Sequence, residues 1–337
     1  MIKDLIIDYK EGMEIKPPCI IRGMPSEVYH SIEGLSNSGL KMLLDCPARY
    51  YYKYLSGEYE AKEKPSFKIG KACHTYILEG QEVFENTYWN NPYSDYTKKE
   101  IVRILQEKFG YDCTIEKYLL ADLMEMLLVS EGIEPKEVHL TKNELNQVIG
   151  TARAIKNNKH ALAAFSQKGE SELSIFWQDE KTGVWLKCRP DFLPYDCKNV
   201  PDYKTAESAK PETFYSSFIK YGYHVQAAMY RMGIKAVTGI DVDNFFFLVQ
   251  EKEPPYISQI FNPDLDGIIA WGEKAIYNAI EKYKECESTG IWNTYSDRII
   301  ELRIEPAPDD LLGTYDKELG IIYAPKWIDT ELLKYEV

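Results

Sequence analysis

From Val184 to Phe192 the residues alternate between two sides. Val184, Leu186, Cys188, Pro190 and Phe192 fall on one side, and Trp185, Lys187, Arg189 and Asp191 on the other. A period of two predicts a strand, with Asp191 closing its more polar face. Leu173–Trp177 predicts a strand before it. Asn199–Thr205 is short and interrupted by Pro201; if extended, it projects Asp202 and Lys204 from one face. The short connection predicts that these strands pair side by side, which would bring Asp191 close to Asp202. Beyond them, Pro211–Lys220 and Tyr223–Val237 carry helical period, and the second places Gln226 and Tyr230 four apart on one face. Asn244–Val249 is an apolar run of the buried-strand kind, and Tyr256–Phe261 a further strand. Asp264–Glu287 predicts a long amphipathic helix. The order is helix, three strands, helix, two strands, helix, a mixed α/β core.

The first half is more helical. Residues 1–25 predict a short extended lead-in, because Pro17, Pro18 and Pro25 forbid a long helix. Ser36 or Asn37 can cap a helix to about Leu44, and an aromatic-rich helix follows Pro47 through Tyr50–Leu55. A helix from Phe67 carries Gly70 and His74, four apart on one face, with Gly70 leaving room for close approach. Ile115–Val129 has helical period and a broad apolar face, within a stretch that predicts a helical insertion or lid. Residues 142–165 predict another amphipathic helix, interrupted at Asn157 and Asn158. The last fifty residues predict an irregular wrap over the core, so the whole chain, 1–337, reads as one domain. Its parts are an N-terminal helical region (1–66), a helical insertion (86–165) and a core (172–288).

Composition narrows the classes. A chain of 337 residues, 45% hydrophobic and with 26 tyrosines, is globular. A formal charge of -13 argues against coating nucleic acid or an anionic membrane over the whole surface, and leaves room for a local basic groove. The seven cysteines are odd in number, with no CxxC and no Cys/His zinc spacing, which predicts reduced thiols in a cytoplasmic setting. Met1–Asp4 has no signal-peptide layout, and no apolar run approaches the roughly 20 residues that span a bilayer.

The candidate chemistry is in the strands. Two carboxylates at one spot repel unless a cation sits between them. Oxygen ligands suit Mg²⁺ or Mn²⁺ better than Zn²⁺. A lysine beside them can polarise a water or stabilise charge growing on a phosphate. On spacing alone, Asp, Lys and Arg on the solvent side of a hairpin are ordinary, and an Asp-x-Lys tripeptide is more often that than a site. A lone helical histidine such as His74 is more often structural than a ligand. Serines at a helix start are usually plain caps.

Taken in order, the motifs resemble the PD-(D/E)xK nuclease superfamily. They are Ser36-Asn37-Ser38-Gly39-Leu40 with Cys46-Pro47-Ala48, then Gly70-Lys71-Ala72-Cys73-His74, Pro190-Asp191, Asp202-Tyr203-Lys204 and Gln226-Ala227-Ala228-Met229-Tyr230. The set is most similar to RecE-type exonucleases (exodeoxyribonuclease VIII), near lambda exonuclease and the RecB-like nuclease domains. That resemblance implies a restriction-endonuclease-like core, a mixed central sheet flanked by helices, with a helical insertion. It implies Asp191, Asp202, the Tyr203 carbonyl and His74 as metal ligands. Lys204 would orient the attacking water, and Gln226 and Tyr230 would hold Lys204, the phosphate or the DNA strand. Ser36, Ser38 and Arg49 would bind the DNA 5′-phosphate. Glu172, just ahead of the first strand, is a candidate further acid. Asp202 stands where many relatives have Glu. The iron–sulfur cluster of some relatives is excluded, because Cys286 is the only late cysteine. The implied activity is Mg²⁺-dependent (or Mn²⁺-dependent) 5′-to-3′ digestion of linear double-stranded DNA in a phage or prophage recombination setting. Mononucleotides would be released and 3′ tails left. The implied partners are DNA ends, a RecT-like single-strand annealing protein and copies of the chain in a ring of three or four. An endonuclease or single-strand nuclease of the superfamily, or a non-catalytic DNA-binding protein keeping the fold, are the alternatives.

Overall fold

The computed structural model describes residues 2–60, 65–114, 116–134 and 136–296, and the backbone of three short strands beyond them. A 3₁₀ turn (Ile2–Leu5) leads into β1 (Ile6–Asp8), β2 (Cys19–Arg22), α1 (Ser26–Ser31), β3 (Leu35–Ser36), α2 (Asn37–Asp45) and α3 (Pro47–Tyr54). Then α4 (Pro65–His74) runs on into a π-helical turn, Thr75–Glu79, before α5 (Gln81–Thr87) and β4 (Tyr88–Asn90). Next come α6 (Lys98–Phe109), α7 (Leu120–Ser130), β5 (Val138–Leu140), α8 (Lys142–Asn157) and α9 (Lys159–Phe165). The strand-rich part holds β6 (Gly169–Ser171), β7 (Ser174–Gln178), β8 (Trp185–Cys188), β9 (Phe192–Pro194) and β10 (Asn199–Ala206). It is followed by α10 (Pro211–Lys220), α11 (Tyr223–Thr238), β11 (Asn244–Glu251) and β12 (Ser258–Phe261). A second π turn, Leu265–Ile269, enters α12 (Ala270–Thr289), and the tail holds β13 (Arg303–Glu305), β14 (Tyr315–Asp316) and β15 (Ile321–Tyr323).

The strands form a mixed architecture. One sheet has the order β1-β2-β7-β8-β3, with parallel pairs at both ends and antiparallel pairs between. A second has the order β10-β11-β12, with β10 parallel to β11 and β12 antiparallel. The connection from β10 to β11 runs through α10 and α11, as a parallel pair requires. Nine of the sixteen residues of α11 are buried, seven of them in the run from His224 to Tyr230, and it lies against β7 and β8. Gly233 permits this: a Cβ there would be 2.7 Å from the Trp177 ring. The expected mixed α/β core is therefore the observed one.

Two compact units divide the chain. The larger contains residues 1–41 and 60–281. The smaller contains 42–59 and 282–337, where Tyr50 stacks on Trp292 at 5.7 Å and the Ala48 amide donates to Asn293 at 3.0 Å. Within the larger unit the stretch 86–165 is heterogeneous. Ile101, Leu105, Leu123 and Leu127 of α6 and α7 close a cluster of their own. Val148, Ile155 and Ala161 of α8 and α9 instead share a core with Ala72, Cys73, Tyr203 and Leu248.

Several expectations need correction. Val184–Phe192 is not one strand: β8 stops at Cys188, and Phe192 begins β9, which pairs with β6. Pro190 has no N–H to give a ladder, so the strand breaks around it. Nor does β10 pair with β8, since its ladder partner is β11. The polar side of β8 is not wet either: Lys187 is only 4% exposed. Cys19–Arg22, read as lead-in, is a strand between β1 and β7. The helix expected from Ile115 starts at Leu120, where Asp122 accepts from the Leu119 amide at 3.1 Å; Ile115 itself lies outside the described residues. Most of the last fifty residues, Trp327 among them, also lie outside them. The break at Asn157 and Asn158 is as expected, with Asn158 capping α9 by accepting from the His160 and Ala161 amides, each at 3.1 Å. Among the described residues no helix is long and apolar enough to cross a membrane.

Candidate active site

Asp191 and Asp202 do come together, by a route other than a hairpin. Asp191 follows the β8 break, and its Oδ2 accepts the Tyr203 amide of β10 at 2.6 Å. In a parallel pair, one residue's N–H and C=O face the same edge, so the Tyr203 carbonyl also faces away from β11, towards the Asp191 side. Asp202 is 1% exposed. Its Oδ1 accepts from Gln226 Nε2 at 2.6 Å. Its Oδ2 is sealed from solvent and lies against the Lys204 ammonium as an ion pair. Gln226 thus holds Asp202 directly. Tyr230, one turn on, is buried with its ring 5.9 Å from Phe245, and the charges of Asp202 and Asp191 reach its hydroxyl.

The electrostatics are those of charges crowded out of water. Burial first, and the Asp191 charge second, push Asp202 up to about 7. Burial likewise raises Asp191, against the pull of Lys204 and the Tyr203 amide. Burial works against the Lys204 ammonium, but Asp202 and Asp191 outweigh it and hold its pKa above the ordinary value. The Lys204 ammonium also lies 5.4 Å from the Tyr223 ring centroid. His74 ends α4, where the π turn begins, with Nδ1 3.8 Å from Asp191 Oδ2 and its ring edge-on to Tyr203 at 4.9 Å. Burial, helped by Lys204, lowers it to about 4, so the imidazole is neutral at pH 7 and free to act as a ligand. Gly70 brings α4 onto β10: a Cβ there would be 3.3 Å from Thr205 Oγ1.

Glu172 joins this group. It sits between β6 and β7 at φ +56°, a left-handed conformation that costs a non-glycine residue on the order of 1 kcal/mol or more. Burial, then the Asp191 charge, raises it to about 8. Donor atoms of His74, Glu172 and Asp191 all lie within 4.8 Å of one another. Two carboxylates and an imidazole, with the buried Asp202 carboxylate close enough to Asp191 for their charges to repel, fit a divalent cation that prefers oxygen. A buried relay braces the group from behind. Tyr203 donates to Gln250 at 2.8 Å, Gln250 donates to the Thr151 carbonyl at 2.9 Å, and Thr151 Oγ1 lies 3.3 Å from Cys73 Sγ. The sequence offered no signal for Gln250 or Thr151, because neither belongs to a motif.

The three residues expected at a DNA 5′-phosphate do not share one unit. Ser36 caps α2, accepting from the Gly39 amide at 3.2 Å, and its Oγ is 3.0 Å from that of Ser38. Arg49 belongs to the smaller unit, where it pairs with Asp45 at 3.1 Å and lies over Tyr295 at 5.1 Å.

A mixed α/β core with paired acids, an Asp-x-Lys strand and a helix-borne glutamine defines a domain of the PD-(D/E)xK class. The family profile described as "PDDEXK-like domain of unknown function (DUF3799)" matches residues 36–303, and the chain belongs to that family. Among solved structures, the chain is similar to one from Eubacterium rectale named "Putative exonuclease". The identity is 14%, covering 85% of this chain and 97% of that one, with a TM-score of 0.53, a likeness of fold. The structure of SSO0001 matches over 63% of this chain and 85% of its own, at 14% identity, but with a TM-score of 0.23. No curated protein sequence matches.

Proposed function

We propose that this protein is a divalent-metal-dependent nuclease, with Mg²⁺ as its ion, that digests one strand of linear duplex DNA from the 5′ end. The observation that carries the nuclease reading is the half-buried cluster of His74, Glu172 and Asp191, with the buried Asp202 and its partner Lys204 close enough for their charges to act on it. The 5′ polarity, the release of mononucleotides and the 3′ tails rest on the RecE resemblance of the motifs. The ion would be held by Asp191, Asp202, Glu172, His74 and the Tyr203 carbonyl. Once bound, it would lower the pKa of a water and offset charge on a phosphate oxygen.

The chain's own residues do the rest. Gln226 fixes the Asp202 carboxylate by donating to Oδ1, leaving Oδ2 directed at the site. Lys204, kept charged by its acidic neighbours, has protons left to hold the attacking water or the phosphate oxygen on which charge grows. His74, neutral, does not compete with a cation for the acids. Burial of Asp191 and Asp202 keeps bulk water from them and strengthens each of these interactions. By the same resemblance we assign DNA ends as substrate, a single-strand annealing protein as partner, and a homo-oligomeric ring of three or four subunits.

The test is digestion of linear duplex DNA labelled separately at each end, with Mg²⁺, with EDTA and with Asp202→Ala. Early release of 5′ label, absent in EDTA and in the variant, supports the reading and its polarity. Cleavage of closed circles would replace the exonuclease with an endonuclease. No cleavage of any DNA with Mg²⁺ or Mn²⁺ would overturn the nuclease reading while leaving the fold intact.

A further inference from the structure

One cation beside the site has no role in the chemistry above. Lys41 lies on α2, one turn beyond Ser38, and its Nζ donates to the Tyr221 carbonyl at 2.8 Å. Its stem crosses Gly222, the residue that caps α11 at φ +62°: a Cβ at Gly222 would fall 2.7 Å from Lys41 Cδ. Gly222 gives the first turn of α11 no side-chain acceptor, so that turn depends on other partners for its amides. The same turn carries Gln226, which holds Asp202.

Lys41 is also close enough to feel the centre. Its charge interacts with those of Lys204 and Asp202, and with His224 on the first turn of α11. Asp202 is already matched by Lys204. Among the described residues no acidic side chain pairs with Lys41, whose one hydrogen-bond acceptor is a neutral carbonyl. His224 is 7% exposed and stacks on Trp271 at 3.7 Å, and its Nδ1 has no hydrogen-bond partner. A half-buried ammonium beside another cation, bonded to a neutral carbonyl and sharing with Lys204 the charge of Asp202, has room for a counter-ion from outside. An anion at this place would meet the ammonium and the start of a 16-residue helix that has no side-chain cap.

We propose that Lys41 is a substrate-binding residue. It takes a backbone phosphate of the nucleic-acid strand at the start of α11, next along from the phosphate handled by Lys204. This rests on the nuclease reading above and deepens it by fixing where the strand passes.

The experiment is DNA binding by the full chain, followed by fluorescence anisotropy of a labelled duplex in EDTA, across a salt series. Wild type is compared with Lys41→Ala, Lys41→Arg and, as a remote control, Lys235→Ala, which pairs with Asp241 at 2.7 Å. One lost phosphate contact should lower the slope of log K against log salt by about 0.9 and weaken binding about tenfold. Arginine should restore both, and Lys235→Ala should change neither. A parallel readout uses wild type alone: labelling of Lys41 by an amine reagent should be suppressed by bound DNA. An unchanged slope in Lys41→Ala, or unchanged labelling, would make Lys41 a cap on the end of α10 and overturn the proposal. Wild type that neither binds nor cuts DNA would instead remove the nuclease reading itself.

Discussion

Lys204, its side chain 18% exposed, and Lys187, 4% exposed, are lysines of the larger unit held in opposite ways. Lys204 stands against Asp202, with Asp191 close by, and keeps its proton more firmly than a lysine in water. Among the described residues the Lys187 ammonium donates to main-chain carbonyls: Tyr29 at 3.0 Å, His30 at 3.4 Å and Ile32. Those carbonyls lie at the end of α1, so the ammonium serves as a cap for it, with its charge 5.2 Å from the Tyr29 ring. Burial, with Arg189 alongside, drops Lys187 to about 8. The lesson is that burial costs any charge, and what differs is whether an opposite charge repays it. A buried carboxylate paired with a lysine beside further acids is built to receive something more. A buried lysine whose protons are all taken by carbonyls is built to hold a strap in place.

The largest effect that tests this contrast is catalytic. Asp202→Ala or Lys204→Ala should reduce DNA hydrolysis by on the order of 10³-fold, while Lys187→Met should leave turnover within about twofold. Lys187→Met should instead cost about 1–3 kcal/mol of stability, from carbonyls left unbonded in denaturant unfolding. Equal catalytic losses at both sites would erase the contrast.

Metal addition comes next. Asp202 at about 7 and Glu172 at about 8 must shed protons before a cation binds. Mg²⁺ or Mn²⁺ should therefore raise Tm by several degrees near pH 8 and hardly at all near pH 5. A shift independent of pH would remove these acids from the ligand set.

Without metal, the two regions should bend the pH–stability curve in opposite senses. The folded Asp202 pKa lies above its ordinary 3.8, so the folded state binds more protons between about 4 and 7, and stability falls as pH rises through that window. The folded Lys187 pKa lies below its ordinary 10.5, so the unfolded state binds more protons between about 8 and 10.5, and stability rises there. Asp202→Asn should flatten the first limb, and Lys187→Met the second. Thermal melts across pH check both, and a variant that flattened the wrong limb would show the assignment reversed.

The smallest expected effect is at Gly70→Ala. The new methyl would crowd Thr205 Oγ1 at 3.3 Å, while alanine gains up to about 1 kcal/mol in a helix. Stability should change by less than about 1 kcal/mol. Activity should fall a few-fold as α4 backs His74 away from Asp191, which steady-state kinetics on duplex DNA would read.

Much of this was legible in the chain as written. Covalent geometry alone puts Asp202 and Lys204 on one face of an extended segment, Gly70 and His74 on one face of a helix, and Gln226 one turn from Tyr230. The interruption at Asn158 and the cap at Ser36 follow from side chains that compete for nearby amides. These are short-range facts, decided within one or two turns. Long-range pairing decided the rest. The chain's pattern favoured a hairpin between the strands bearing Asp191 and Asp202, yet β10 took β11 as its partner, and the acids met through one side chain and one amide. Lys187 and Arg189, polar on paper, became interior groups because α1 and the segment before it cover them, with Arg189 bound to Ser174 and the Met24 carbonyl. Glu172 reached the acids through a left-handed turn, and Gln250 reached Tyr203 from a neighbouring strand. Spacing along a chain fixes which residues share a face. Which faces meet depends on many weak contacts between distant segments, and only the folded structure sums them.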